Sequence, residues 1–337
     1  MFFSIIIPLY NRPVEIKELL DSMLLQIYKK FEIIIVEDGS SLTAESIVNE
    51  YKGQLDVQYF FKENEGQGFA RNYGFERAKG DFFIVFDSDI IVPTDYLLQV
   101  QQGLSLNHFD AFGGPDAAHD SFTPIQKAIS YSMTSPFTTG GIRGNKKHIG
   151  QFHPRSFNMG ISRKVWEETQ GFKLSRRSED MEFSIRMINQ GFSVGLINEA
   201  FVYHKRRTSF RQFFKQTYNF GKGRIDIYQR YPQELKAVHA MPSVFVLGLL
   251  SLFLLLLVQI ISLGQIALVS CLIGLAVFII GLYSVLLFVH ALWKTKSVVV
   301  AGLALIAAYT QLIAYGTGFI VQYISSCVLH KNAQSFV

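Results

Sequence analysis

Apolar and polar positions alternate in blocks from the start of the chain. Ser4 to Leu9 is a short apolar run carrying Pro8, and Tyr10-Asn11-Arg12-Pro13 turns from it into an amphipathic stretch reaching about Gln26, with Pro13 suited to the first helical position. Phe31 to Val36 repeats the apolar pattern and stops at Glu37-Asp38-Gly39-Ser40. A helical stretch to about Tyr51 follows, then a third run near Val57 to Phe61. Asn64 to Asn72 opens another helix, which closes near Lys79-Gly80 with Gly80 as C-cap. Phe82 to Phe86 is wholly apolar, three Phe and two β-branched residues, as in a strand covered on both faces. Strands alternating with helices through short links predict an α/β fold with a mostly parallel sheet, right-handed crossovers and flanking helices. Beyond Val92 the pattern predicts a helix from Asp95 to about Leu106, an apolar piece at Ala111 to Gly114, and a helix capped by Ser162 that runs to Gly171. A helix opened by Arg176-Arg177-Ser178-Glu179-Asp180 and two short strands, Ser193 to Ile197 and Ala200 to Tyr203, then deliver His204.

From Thr208 the pattern changes. Phe210, Phe213, Phe214, Thr217 and Tyr218 recur at helical spacing among Lys205, Arg206, Arg207, Arg211, Lys215, Lys222 and Arg224. That describes a helix in the membrane interface, with packing on the soluble core as the alternative, and Gly221 and Gly223 are expected to end it. Three apolar runs follow, Ser243 to Ile261, Ile266 to Leu292 and Val298 to Tyr323, free of Asp, Glu, Lys and Arg; each meets the roughly 20 residues needed to cross hydrocarbon. The link Ser262 to Gln265 is uncharged, whereas Trp293 to Ser297 and the chain before the first run are basic. The positive-inside rule then places the first domain and the Lys294/Lys296 loop in the cytoplasm and the C-terminal tail outside. The predicted partition is a catalytic domain at 1–207, an interfacial helix and linker at 208–240, three transmembrane helices at 241–325 and a tail at 326–337. The spans either anchor or form a lipid-access groove.

Composition adds three limits. A chain of 337 residues can form a full core, and a net charge of +5 concentrated before the apolar region points to anionic lipid and not to nucleic acid. Cys271 and Cys327 lie in or beside apolar runs, so there is no disulfide framework and a reducing cytosol suits the first domain. Met1 leads directly into a strand-length apolar run without a basic leader, unlike a secretory signal. The stretch between Pro136 and Pro154, with Arg143, Lys146, Lys147, His148 and His153, reads as a lid, an acceptor-facing loop or a plain surface insertion.

The candidate chemistry centres on Asp87-Ser88-Asp89, where the most buried run stops. In extended chain, residues i and i+2 point the same way, so Asp87 and Asp89 can face one small volume at the strand end, where ligands of α/β sheets bind. Converging carboxylates need a cation, and Mg²⁺ takes one or two of them together with phosphate oxygens and water. A simple turn is the structural alternative. Gly66-Gln67-Gly68 imitates a dinucleotide fingerprint, but Arg71 stands at the third glycine position and the loop is not at the first strand. Arg71 itself can hold phosphate or pack on a base, or lie solvated on its helix. Glu179, Asp180 and Glu182 suit a helix N-terminus regardless of any catalytic role.

Taken in order, S-I-I-I-P-L-Y-N-R, I-I-V-E-D-G-S, N-E-G-Q-G-F-A-R-N, D-F-F-I-V-F-D-S-D and S-E-D-M-E resemble the family 2 glycosyltransferases of the GT-A fold, over about Met1 to His204. The resemblance implies that Pro8, Tyr10, Glu37 and Asp38 line the pocket for base and ribose, and that Arg71 and Ser88 belong to the donor site. It implies that Asp87 and Asp89 hold Mg²⁺ or Mn²⁺ against the diphosphate of a UDP- or GDP-linked sugar, that His204 completes the metal shell, and that Asp180 is the general base. The reaction implied is inverting transfer of one sugar to a lipid-linked or cell-envelope glycan acceptor by a protein of the cytoplasmic membrane. Glu37-Asp38 replaces the commoner Asp-Asp, which leaves uridine and guanosine open, and the segment Gln216 to Phe220 lacks the Arg and Trp of processive synthases. A polyprenyl-phosphate acceptor, itself an anion, would leave Asp180 without a role. A non-catalytic nucleotide-sugar-binding scaffold is the alternative of another class, whereas a nucleotidyltransferase would need a Gly-rich loop after the first strand.

Overall fold

The computed structural model describes residues 1–139 and 152–330, so Arg143, Lys146, Lys147 and His148 lie outside the described residues. Ten strands are found among those residues: β1 (Phe3–Leu9), β2 (Phe31–Asp38), β3 (Val57–Lys62), β4 (Phe82–Phe86), β5 (Ile90–Ile91), β6 (Ala111–Gly113), β7 (Asp116–Ala117), β8 (Asn158–Ser162), β9 (Val194–Leu196) and β10 (Val202–His204). The helices are α1 (Pro13–Leu24), α2 (Glu45–Asn49), α3 (Gln67–Phe75), α4 (Tyr96–Asn107), α5 (Pro124–Thr134), α6 (Pro136–Thr139), α7 (Arg163–Thr169), α8 (Glu179–Asn189), α9 (Phe210–Arg230), α10 (Ala237–Ile261), α11 (Ala267–Thr295) and α12 (Val298–Tyr323).

The chain divides into two units. The first holds a seven-stranded sheet in the order β3-β2-β1-β4-β8-β6-β9 and a small sheet β5-β10-β7. All pairs of the large sheet are parallel except those of β8, which runs antiparallel to β4 and β6. The period of two along each strand separates two cores. Ile5, Ile7, Ile33, Ile35, Ile84 and Phe86 join α1, α2 and α4 on one face. Ile6, Ile34, Val36, Phe83 and Val85 join α3, α7 and α8 on the other. Because β1 pairs with β2 on one side and with β4 on the other, the strand ends at Leu9, Asp38 and Phe86 open on the same edge.

The second unit contains α5, α6 and α9 to α12, so Ser121 to Thr139 groups with the C-terminal helices and not with the sheet. α10, α11 and the helix beginning at Val298 are long and apolar enough to cross a membrane. α9 does not end at Gly221 and Gly223, as the sequence pattern predicts, but continues through them to Arg230. Close packing accounts for Gly221, where a Cβ would lie 2.1 Å from the Tyr315 carbonyl oxygen of α12.

Candidate functional site

β4 delivers Asp87 and Asp89 to the open edge of the sheet, and β10, paired antiparallel to β5 with His204 opposite Ile90, brings His204 against them. One ligand atom from each of Asp87, Asp89 and His204 lies within 4.8 Å of the others. His204 Nε2 is 3.3 Å from Asp89 Oδ1, and its ring stacks on Phe157 with centroids 4.9 Å apart. The Lys205 amide donates to the Asp89 carbonyl at 2.9 Å, which fixes the end of β10 to the strand-end turn. Two carboxylates and an imidazole converging at this spacing form a donor set that suits a small divalent ion such as Mg²⁺ or Mn²⁺.

Cations from two other elements meet these acids. Arg12, just before α1, hydrogen-bonds Asp89 Oδ2. Arg71 on α3 is 1% exposed, so the solvated alternative does not hold for it. Its guanidinium donates to Asp87 Oδ1 at 2.9 Å and to Glu179 Oε1 at 3.0 Å and lies over the Phe172 ring. Two acidic motifs 92 positions apart are thereby joined through one arginine. Burial raises the Glu179 carboxyl above its ordinary range; adjacent Asp180 adds to this and Arg71 opposes it. Gln67 also donates to Glu179. Gly68 permits the approach: its amide donates to the Ser175 carbonyl at 2.8 Å, and a Cβ there would lie 2.1 Å from the Leu174 oxygen.

Asp180, in the first turn of α8, keeps 21% of its side chain exposed and has Arg155 Nη1 at 3.7 Å. The remaining predicted residues line the strand ends in different ways. Tyr10 is exposed, Pro8 half-buried and Ser88 buried. Glu37 is fully buried, and its Oε2 accepts from the Ala44 amide and the Tyr59 hydroxyl, each at 2.9 Å. Burial, then Glu37, pushes the Tyr59 hydroxyl well up from its ordinary value. Asp38 accepts from the Glu65 amide at 3.0 Å and the Gly66 amide at 2.8 Å, with Lys62 at 3.3 Å. His153 is described and half-buried, and the group of candidate metal ligands is Asp87, Asp89 and His204.

Arg12, Glu179, Arg155 and Phe157 enter the site without having been singled out for it. Arg12 was legible in principle: a cation at the carboxyl end of β1 must neighbour the acids of β4 once the parallel order is recognised. The others are brought in by contacts distant in sequence.

The model of the family described as glycosyl transferase family 2 matches residues 4–169. An uncharacterized glycosyltransferase of Rickettsia felis is 33% identical over 141 residues, 41% of this chain and 22% of the relative. A probable glycosyltransferase of Sulfolobus acidocaldarius is 28% identical over 198 residues, 56% of this chain and 42% of the relative. The matched parts thus span well under two thirds of either relative. Among solved structures, the mannosyltransferase PcManGT from Pyrobaculum calidifontis in complex with GDP-Man and Mn2+ is similar over 98% of this chain and 88% of that chain, with a TM-score of 0.56 and 16% identity, a likeness of fold. Over residues 4–169 the sheet domain matches the family 2 glycosyltransferases, and its fold is of the GT-A type.

Proposed function

We propose that the chain is a membrane-anchored transferase that moves one sugar, with inversion, from a UDP- or GDP-linked donor in the cytoplasm to a lipid-linked or cell-envelope glycan acceptor. The observation that carries this reading is the convergence of Asp87, Asp89 and His204 at the end of β4, coupled by Arg71 to the Glu179-Asp180 turn. Asp87, Asp89 and His204 would hold Mg²⁺ or Mn²⁺, which when bound supplies Lewis-acid neutralisation of the departing diphosphate. PcManGT, whose fold is similar, is recorded with GDP-Man and Mn2+, which supports testing guanosine donors beside uridine donors.

The chain's own residues account for the rest. Asp180 receives the proton of the attacking hydroxyl as its oxygen bonds the anomeric carbon and the carbon–phosphate-oxygen bond breaks, a general-base role that its partial exposure permits. Arg71 is enclosed, so it acts as a positioning residue that holds Asp87 and Glu179 in register. Arg12 supplies positive charge beside Asp89. Pro8, Tyr10 and Ser88 line the donor side, with Glu37 and Asp38 shaping it from beneath. The basic positions around α9 and at Lys294 and Lys296 support a cytoplasmic sheet domain.

Membranes containing the chain, incubated with radiolabelled UDP- and GDP-sugars, are expected to transfer label from one donor and to lose transfer in EDTA. Full activity of Asp89→Asn would overturn the assignment and favour a scaffold.

A further inference from the structure

We propose that α12 lies in the headgroup interface, so that α10 and α11 alone cross the bilayer and the chain beyond α12 emerges on the same side as the sheet domain. This does not depend on the transfer reaction. It departs from the sequence reading, which passes three spans through the membrane and leaves the tail outside.

α10 and α11 are bare: 0% and 6% of their most apolar windows are buried, against 33% for the helix that begins at Val298. What covers α12 is amphipathic, apolar where it packs and polar elsewhere. α5, with Gln126, Lys127, Ser130, Ser132 and Thr134, lies over its first half. Ala128 and Tyr131 share one cluster with Val300, Ala301, Ala304 and Ala308, and the Ser132 hydroxyl donates to Gln311 at 2.6 Å.

α9 lies over the second half, running in the same direction. Phe213 clusters with Ala307, Gly221 packs on the Tyr315 carbonyl, a Cβ on Gly318 would lie 2.1 Å from the Tyr218 carbonyl, and Gln322 donates to buried Asp226 at 2.9 Å. From Phe213 to Asp226 the two helices keep company for about 20 Å at 1.5 Å per residue. Over and beside that length α9 carries Arg211 and Lys215, both exposed, and Lys222 and Arg224, both half-buried. Were α12 to cross the hydrocarbon, this basic helix would have to enter with it, and each cation there is costly. In the interface the same cations face anionic headgroups, as a basic amphipathic helix does.

The contacts with the hairpin fit the same placement. α12 meets α11 near Leu287 and Ala291, reaches Ser284 and Phe245 through Tyr309, with Tyr309 Oη 2.6 Å from Ser284 Oγ, and then packs Gly316 on the Pro242 carbonyl. It thus passes from α11 to α10 across the end of the hairpin that carries Lys236, Lys294 and Lys296. Its outward stripe, Val299, Ile306 and Val321, continued by Ile324 just after the helix, is exposed and apolar, which suits contact with acyl chains from the interface.

The full chain, with Cys271→Ser and Cys327→Ser and one cysteine at Lys52→Cys, Leu263→Cys or His330→Cys, is to be labelled with an impermeant maleimide in sealed inside-out and right-side-out vesicles. His330→Cys is expected to label from the face that labels Lys52→Cys, at least tenfold faster than from the other, while Leu263→Cys shows the reverse. Labelling of His330→Cys together with Leu263→Cys would overturn the proposal. Should the cysteine-free background fail to fold, C-terminal fusions of the unaltered chain decide: a fluorescent GFP with inactive alkaline phosphatase supports it, and active phosphatase with dark GFP overturns it.

Discussion

The ends of β2 and β4 read alike in sequence, an apolar run stopping at two acids, and the two strands flank β1 on either side. Their carboxylates have different partners. Glu37 and Asp38 have Tyr59 and Lys62 beside them but are also held by backbone amides of Ala44, Glu65 and Gly66, which cannot leave without remodelling two loops. Asp87 and Asp89 are met by side chains, Arg71, Arg12 and His204, and Arg12 keeps 29% of its side chain exposed. Acids held mainly by backbone shape a site, whereas Asp89, answered by the part-exposed Arg12 and His204, can exchange partners for a ligand.

The contrast breaks most sharply at Asp89. Asp89→Asn is expected to lower transfer by about 10³-fold, roughly 4 kcal/mol of barrier, while leaving the thermal midpoint nearly unchanged. A large fall in the midpoint, measured by scanning calorimetry beside the transfer assay, would put Asp89 with the structural acids.

Arg71→Met sharpens the comparison from the other side. It strands Asp87 and buried Glu179, and removing one partner of a buried pair costs about 3–5 kcal/mol, so denaturant midpoint and activity should fall together. Asp38→Ala leaves the Glu65 and Gly66 amides without their acceptor and is expected to cost about 2 kcal/mol in urea unfolding, with transfer per folded molecule reduced far less.

The smallest effect is one of pH. Because burial raises the Glu179 carboxyl in the folded state, the native chain keeps this proton at pH values where the unfolded chain has already lost it. Stability from this group is therefore present below its unfolded value and is lost as pH rises toward the folded one. Glu179→Gln should flatten that slope in melting curves taken across the window. An unchanged slope would mean that Arg71 holds the carboxylate ionised throughout.

Much of the sheet was legible because β1, β2 and β4 are long, two-sided and apolar, with acids marking where they stop. β8 was not: Asn158-Met159-Gly160-Ile161-Ser162 has little strand character, and Gly160 is there because the Phe112 ring occupies the space a side chain would take. α5 was missed because Pro124 to Thr134 is studded with Ser, Gln and Lys, and Tyr131 finds its first partner 156 positions later, at Leu287 of α11, with others further on in α12. Gly221 and Gly223 looked like a stop because α12, which packs on Gly221, is invisible in a local window. The site divides in the same way. Asp87 and Asp89 announce themselves by spacing, but Arg71 reaches Glu179 across 108 positions and Arg12 reaches Asp89 across 77, and only the fold brings those charges together.

The central claim, that Asp87, Asp89 and His204 form one divalent-cation site serving a diphosphate, is tested most directly by Mn²⁺ titration of the full chain with UDP or GDP present, read by electron paramagnetic resonance. One tightly bound Mn²⁺ is predicted with the preferred nucleotide, abolished in Asp89→Asn and weakened about tenfold or more in His204→Asn, with folding intact. Equal Mn²⁺ affinity in the unaltered chain and in Asp89→Asn would contradict the account.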